Sequence, residues 1–371
     1  MFRLLGPAAA SFAICLLAIF ALRPIAIAVD LIDRPGGRKT HHGEVPIVGG
    51  LAMYLGIVFG IGILPLPGAP GAPFLAACTI LVTIGLFDDR FDLSPYTRLP
   101  AQIGAAIVLL VGTGTIVQSL GDPIGIGEVH LTAVAAPLFT IMMIVAAINA
   151  FNMLDGMDGL AGTMALNALV ALGVLSWISG LETAATLCLI ISASICAFLI
   201  FNLPSARNRR MRCFMGDAGS TLLGLSVAWL CIYASQSKAL APALDISPVT
   251  TLWVVALPLY ELFWTTIRRL VRGVSPFKAD RDHFHHLLLK AGFGVRAAFG
   301  IFVGLAAVLA TIGIMAHYSE LPERYSFLLL VLCGIGLVCL MYRADLLWKL
   351  VPASIRRARQ VEPAGSPADP S

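Results

Sequence analysis

Apolar residues gather along the chain in blocks of roughly twenty, separated by short polar breaks; as helices, such blocks cross ~30 Å of hydrocarbon. Eleven of them lie near 8–29, 47–64, 72–87, 99–119, 133–151, 160–179, 183–203, 218–236, 247–267, 298–317 and 325–342. Several contain Gly or Pro, which membrane helices tolerate better than soluble ones do. The pattern predicts an all-α, polytopic membrane protein of about eleven transmembrane helices. Its first block runs into Arg23–Pro24 where a signal peptide would carry small cleavage-site residues, so an uncleaved first helix is expected.

Composition narrows the class further. Of 371 residues 58% are apolar and only 12% charged, against roughly 45–50% and about 25% in average proteins. A disordered chain, a secreted disulfide scaffold and a cytosolic enzyme are excluded. The eight cysteines form no CxxC and no zinc-ligand spacing. All but Cys213 lie in apolar blocks, where Cys packs as a small hydrophobe.

Charge orients the spans. The segments 30–46, 88–98, 152–159, 204–217, 268–297 and 343–371 carry 21 of the 25 Lys and Arg. The alternate segments carry Arg3, Lys238 and Arg324, and Arg23 lies close enough to the end of the first block to snorkel. The positive-inside rule makes the basic set cytoplasmic, with the N-terminus outside and the C-terminus inside. The net charge of +4 is then a topology signal and gives no argument for nucleic acid. Residues 1–345 are expected to form one integral-membrane domain. Residues 346–371 are expected to be a disordered cytoplasmic tail whose Arg356, Arg357 and Arg359 meet anionic headgroups.

The basic segments also hold the chemistry. Residues 33–50 combine Gly-Gly pairs, which bring amide N–H groups close to an anion, with Arg34, Arg38 and Lys39 as positive charge for phosphate. Asp88 and Asp89 end an apolar block, where adjacent carboxylates repel unless a cation neutralises them. Asp92, with Ser94–Pro95, is expected to cap the following helix instead. Asn149, Asn152 and Asp155 share a ~120° stripe of one helix, and Gly156 and Gly159 let Asp158 turn toward the same cavity. Segment 149–162 contains no Lys or Arg. Acids and amides at membrane depth without a basic partner are costly unless a metal or polar ligand satisfies them, and oxygen-only ligands suit Mg²⁺ or Mn²⁺.

Asp217, flanked by Gly216 and Ala218, reads alone as a helix N-cap and beside the other acids as a further metal ligand. His283, His285 and His286 lack the spacing of a zinc helix. With Lys278 and Arg281 they make a cationic, donor-rich cluster suited to a diphosphate, and on an extended strand His283 and His285 would point the same way. Leu287, Leu289 and Phe293 are expected to let the adjoining helix rest at the membrane interface. Glu261, inside the ninth block, has no partner evident in the sequence.

Taken together, the blocks DRPGGRKTHHGEVPIVGG, DDRFDLSP, NAFNMLDGMDGLAG, FMGDAGS and SPFKADRDHFHH resemble, in order, those of the polyprenyl-phosphate N-acetylhexosamine-1-phosphate transferases. Within that superfamily they look most like the bacterial undecaprenyl-phosphate N-acetylglucosamine-1-phosphate transferases. The resemblance implies a membrane enzyme of the bacterial inner membrane, its site on the cytoplasmic face. Such an enzyme moves N-acetylglucosamine-1-phosphate from UDP-N-acetylglucosamine to undecaprenyl phosphate, releases UMP and uses Mg²⁺ or Mn²⁺. Its product starts a lipid-linked surface polysaccharide such as O-antigen.

By motif, Asn152 and Asp217 are implied as metal ligands and Asp88, Asp89 and His283 as catalytic residues. Asp158 and Phe214 are implied as readers of uracil, and Arg281, His285, His286, Lys39 and Asp155 as further donor contacts. One departure bears on the donor. The peptidoglycan branch usually has Lys where this chain has Asp92, and its histidine loop reads differently, which argues against a muramoyl-pentapeptide donor. That donor, an N-acetylgalactosamine donor and a homodimer stay open.

The residues suit this chemistry in their own right. A lipid phosphate with a second pKa of ~6 is mostly dianionic at neutral pH. Positioning therefore counts for more than proton removal, and Asp88 or Asp89 is expected to orient or deprotonate that phosphate. A transporter with intramembrane Asp, Asn and Glu along its path is the rival from another class. The acids cluster at span ends on one face rather than at mid-span, Glu261 excepted, which disfavours it.

Overall fold

A computed structural model describes residues 2–34, 44–63, 71–203, 211–237, 246–275 and 283–342. The cysteines are free thiols, as their spacing suggested. Phe2–Ala28 (α1) leads into a short antiparallel hairpin, Ile32–Asp33 (β1) with Val45–Pro46 (β2). The apolar blocks that follow fold as Gly49–Gly62 (α2), Gly71–Phe91 (α3), Pro95–Thr113 (α4), Ala135–Leu154 (α5), Leu160–Ile178 (α6), Glu182–Asn202 (α7) and Gly216–Ser235 (α8). Beyond them lie Pro248–Val254 (α9), Ala256–Val271 (α10), Phe284–Lys290 (α11), Val295–Tyr318 (α12) and Glu323–Tyr342 (α13).

Among the described residues eight helices are long and apolar enough to cross a membrane, or nine if α9 and α10 count as one broken span. Each of the eleven apolar blocks is thus helical, but α2, with 14 residues, and α4 fall outside that set. The expected ninth span is bent by 80° between α9 and α10. Pro258 explains the break: it has no N–H for the carbonyl of Val254, the last residue of α9, and its ring would collide with it. Beyond the bend, α10 turns Glu261, Thr265, Arg268 and Arg269 inward and leaves Phe263, Ile267, Leu270 and Val271 exposed. This is the polarity of a helix packed on protein and bathed in lipid.

The helix α8 is the central post. Over 18 residues it is 94% buried, against 22% for α13 at the rim. Trp229 of α8 stacks on Phe74 of α3 with ring centroids 4.6 Å apart. Around it the helix ends sort onto two sides. One side joins Gln118 and Ser119 to Gln236 and Asp122 to Glu323. The other joins Arg23 to the carbonyl of Arg212, Asp89 to α8, and Asn202 to both Gly159 and Cys213. The acids lie on this second side.

Candidate active site

The site is built where α3 crosses the start of α8. A Cβ on Gly85 would sit 2.3 Å from the Ala218 Cα, so only glycine permits this approach. One turn on, the Asp89 carboxylate accepts the backbone N–H groups of Asp217 at 2.7 Å and Ala218 at 3.3 Å. These are first-turn donors that a helix leaves unsatisfied, so Asp89 caps α8 from another helix.

Asp88 faces the other way. It accepts the Leu93 N–H at 2.8 Å and the Arg98 guanidinium at 2.7 Å. Arg98 also reaches within 3.7 Å of Asp217. Asp217 in turn accepts from the Asn152 amide, which donates to Ser220 Oγ as well. Asp88, Arg98, Gln102, Asn149, Asn152 and Asp217 share the walls of one cleft of about 340 Å³, open mouth included. Deeper in it, Asn149 donates to Gln102 at 2.8 Å, so Asn149 and Asn152 do share a face, as their spacing predicted.

Asp155 caps the C-terminus of α5 just outside the membrane span. Burial, then the nearby Asp217 and Asp89 carboxylates, push its pKa well above the usual carboxylate range. Asp158, expected to lack a basic partner, has one: Arg212 pairs with it from the segment between α7 and α8, a contact its own segment could not reveal. The Arg212 guanidinium lies over the Phe214 ring, 5.1 Å from its centroid. Residues 212–214 are held firmly. Phe214 N–H bonds the Pro46 carbonyl, Gly49 N–H bonds the Phe214 carbonyl, and Asn202 bridges the Cys213 carbonyl to the Gly159 N–H.

Two of the three histidines stack, and the His286 ring is tilted against both. His283 precedes α11 as its N-cap, and His285 and His286 lie in the first turn. The His283 and His285 rings are parallel within 2°, 5.7 Å apart, although the segment is helical from Phe284 rather than an extended strand. His283 Nδ1 lies 2.8 Å from the fully buried Glu261, which supplies the partner the sequence did not reveal. His285 is buried, and a Cβ on Gly156 would come within 2.8 Å of its Nε2, which places it against the acidic loop. Burial, then His286 and His283, lower its pKa to about 3. His285 is therefore a neutral hydrogen-bonding group and not a member of a cationic cluster.

Asp92 also departs from expectation. It sits at the end of α3 with φ +50° and gives its N–H to the Asp88 carbonyl at 2.8 Å. Ser94, in extended conformation before Pro95, takes the N-cap position of α4 without Asp92. Lys39, Arg281, Lys278 and Arg38 lie outside the described residues, as does the tail from 346. Sequence reasoning missed Arg98, Arg212 and Asn202 as site residues. The signal for Arg98 is its place in the first turn after an acidic pair; in the sequence Arg212 is indistinguishable from a membrane-topology charge.

Among the described residues no three His, Cys, Asp or Glu side chains are placed to hold a metal ion together. What the described residues of the cleft offer is one carboxylate with an amide, beside a further carboxylate and Arg98.

Residues 72–235 match the model of glycosyl transferase family 4. The chain is 38% identical over 314 residues to the undecaprenyl-phosphate alpha-N-acetylglucosaminyl 1-phosphate transferase of Escherichia coli O157:H7, covering 85% of this chain and 84% of that protein. The enzyme of the same name from Salmonella typhimurium is 38% identical over 93% of this chain and 94% of its own length. That of Haemophilus influenzae is 33% identical over 84% and 86%. With this identity sustained across nearly the whole of both partners, the chain belongs to the undecaprenyl-phosphate α-N-acetylglucosaminyl 1-phosphate transferase family.

Proposed function

We propose that this chain transfers N-acetylglucosamine-1-phosphate from UDP-N-acetylglucosamine to undecaprenyl phosphate and releases UMP. The observation that carries the reading is the convergence of Asp88, Asp89, Asn152 and Asp217, from three helices, around Arg98. An Asp158–Arg212–Phe214 subsite is built beside the same loops.

An oxygen of the lipid phosphate attacks the β-phosphorus of the donor, and the bond from that phosphorus to the oxygen kept by UMP breaks. One diphosphate linkage replaces another, so no ATP is needed. Arg98 brings positive charge to the phosphates, and Asp88 fixes its guanidinium through the 2.7 Å ion pair. Asp89 acts by holding the first turn of α8, and with it Asp217, in place. Phe214 offers a stacking face to the uracil, and Asp158 an acceptor for its N–H.

Asp217 and Asn152 suit Mg²⁺ or Mn²⁺, because such hard cations need only one or two protein carboxylates when waters and substrate phosphates complete the shell. The surplus of acids over arginine among the described residues, and the raised pKa of Asp155, support a cation's place there. When bound, the ion neutralises the diphosphate and the charge developing on UMP.

In this reading the acidic face is cytoplasmic and the membrane is the bacterial inner membrane. All eleven apolar blocks cross it, α2 and α4 leaning on their neighbours and α9 with α10 forming one broken crossing. The alternation of helix ends between two sides and the one-sided distribution of Lys and Arg support it. Residues 1–345 act as one membrane domain, with the remainder a cytoplasmic tail.

Purified protein given UDP-N-acetylglucosamine, undecaprenyl phosphate and Mg²⁺ is expected to release UMP, and only with both lipid and cation present. UDP-N-acetylgalactosamine and the muramoyl-pentapeptide donor, run alongside, are expected to be poor substrates. Turnover confined to either of those donors, or UMP release without lipid phosphate, would overturn the assignment.

A further inference from the structure

Glu261 is a fully buried acid in the bent span, outside the acidic cleft. Its Oε1 lies 2.8 Å from His283 Nδ1, and its two oxygens accept the Phe284 N–H at 3.2 and 3.1 Å. A carboxylate only accepts, so His283 is held with its proton on Nδ1. The same carboxylate satisfies the first N–H of α11, which the His283 side chain does not cap. Glu261 thus grips α11 at its first two positions. Two residues on, His285 is carried against Gly156 and the 155–159 loop. Neither of its ring nitrogens has a hydrogen-bond partner among the described residues, although it is only 1% exposed. Burying two unsatisfied nitrogens is costly, and the cost is recovered if a ligand's polar atoms meet them.

We propose that Glu261 is a positioning residue: through His283 and the Phe284 amide it docks α11 so that His285, rather than His283, presents its ring to the donor bound at the acidic loop. This rests on the proposed transfer reaction. His283 here acts as a hydrogen-bond strut, and what matters in it is the Nδ1–H rather than the imidazole's acid–base chemistry.

Asparagine places an amide N–H close to where histidine places Nδ1–H, so the strut can be kept while the imidazole is removed. The experiment measures kcat and KM for UDP-N-acetylglucosamine in the full-length protein and its variants, with thermal melting in detergent as the check on folding. His283→Ala and Glu261→Gln are each expected to lose about 10- to 100-fold, as outer-shell partners of active-site groups do, and His285→Ala at least as much; His283→Asn is expected to recover most of what His283→Ala loses. Glu261→Gln combined with His285→Ala is expected to be no worse than His285→Ala alone, because both remove one contact.

Equal loss in His283→Asn and His283→Ala would overturn the inference, as would simple addition of losses in the double variant. A parent protein that releases no UMP would instead overturn the transfer reaction itself, so the two failures are distinguishable.

Discussion

The carboxylate of Asp89 accepts the backbone N–H of Asp217 at 2.7 Å, so the end of α3 serves as the N-cap of α8. Two acids that would repel in isolation are locked side by side because one uses its oxygens on the helix that carries the other. Helix α8 provides donors and the favourable end of its dipole for that charge. The link also divides labour between neighbours: Asp88 holds an arginine, and Asp89 holds a helix.

Removing Asp89 should therefore do two kinds of damage. Asp89→Ala leaves two first-turn N–H groups without their acceptor and should destabilise the fold by about 1–3 kcal/mol, measured as denaturant or thermal unfolding in detergent. It should also abolish UMP release. Asp92→Gly, by contrast, relieves the φ of +50° at an exposed position and should leave activity near the parent level. Comparable losses in the two variants would contradict the separate roles assigned to them.

Asp217→Ala takes away the carboxylate placed to meet a divalent cation, while Asp89 can still cap α8 through backbone groups the substitution leaves intact. The expected outcome is a folded protein with UMP release down by about 100-fold or more, unrestored by raising Mg²⁺ or Mn²⁺. A cation titration of the variant that recovers the parent rate at moderate excess would remove Asp217 from the metal site.

The crossing at Gly85 should be intolerant of bulk. Gly85→Leu must push α3 away from the Ala218 backbone and thereby separate Asp89 from the α8 N-terminus. Activity should vanish and the melting temperature should fall, although position 85 itself bears no chemistry. Retained turnover in this variant would mean that the Asp89–Asp217 contact is dispensable.

Acid should unfold the protein partly through His285. Its folded pKa is about 3 against an ordinary 6.5. As pH falls through that window, the unfolded chain takes up a proton that the folded site refuses, so stability declines; above it, the residue has no effect on the pH dependence. His285→Gln should flatten the stability profile between those limits, as followed by thermal melting in detergent at stepped pH. An unchanged slope would show that His285 titrates freely in the folded protein.

The half of the site that the sequence revealed is the half made of acids and an amide. Asp88, Asp89, Asn152 and Asp217 are polar groups at the margins of apolar blocks, where their cost demands an explanation from composition alone. Their partners were hidden because pairing is made across space: Asp158 and Arg212 are 54 residues apart, and Glu261 and His283 are 22 apart. Arg98 and Arg212 looked like topology markers, since a basic residue at a membrane margin satisfies the positive-inside pattern whether or not it also meets an acid. The break in the ninth block was in principle legible from Pro258, but an apolar block with a proline reads equally well as a kinked crossing.

The sequence by itself determined that the chain lives in a membrane, which segments are helical and which groups are costly enough to require function. Those properties follow from transfer free energies and backbone hydrogen bonding, which act residue by residue. Only the tertiary structure decided that Asp89 caps a distant helix, that Asp158 is paired, and that Glu261 holds the histidine segment. A carboxylate's role depends on which donors lie within about 3 Å of it, and that is set by helix crossings such as the one at Gly85.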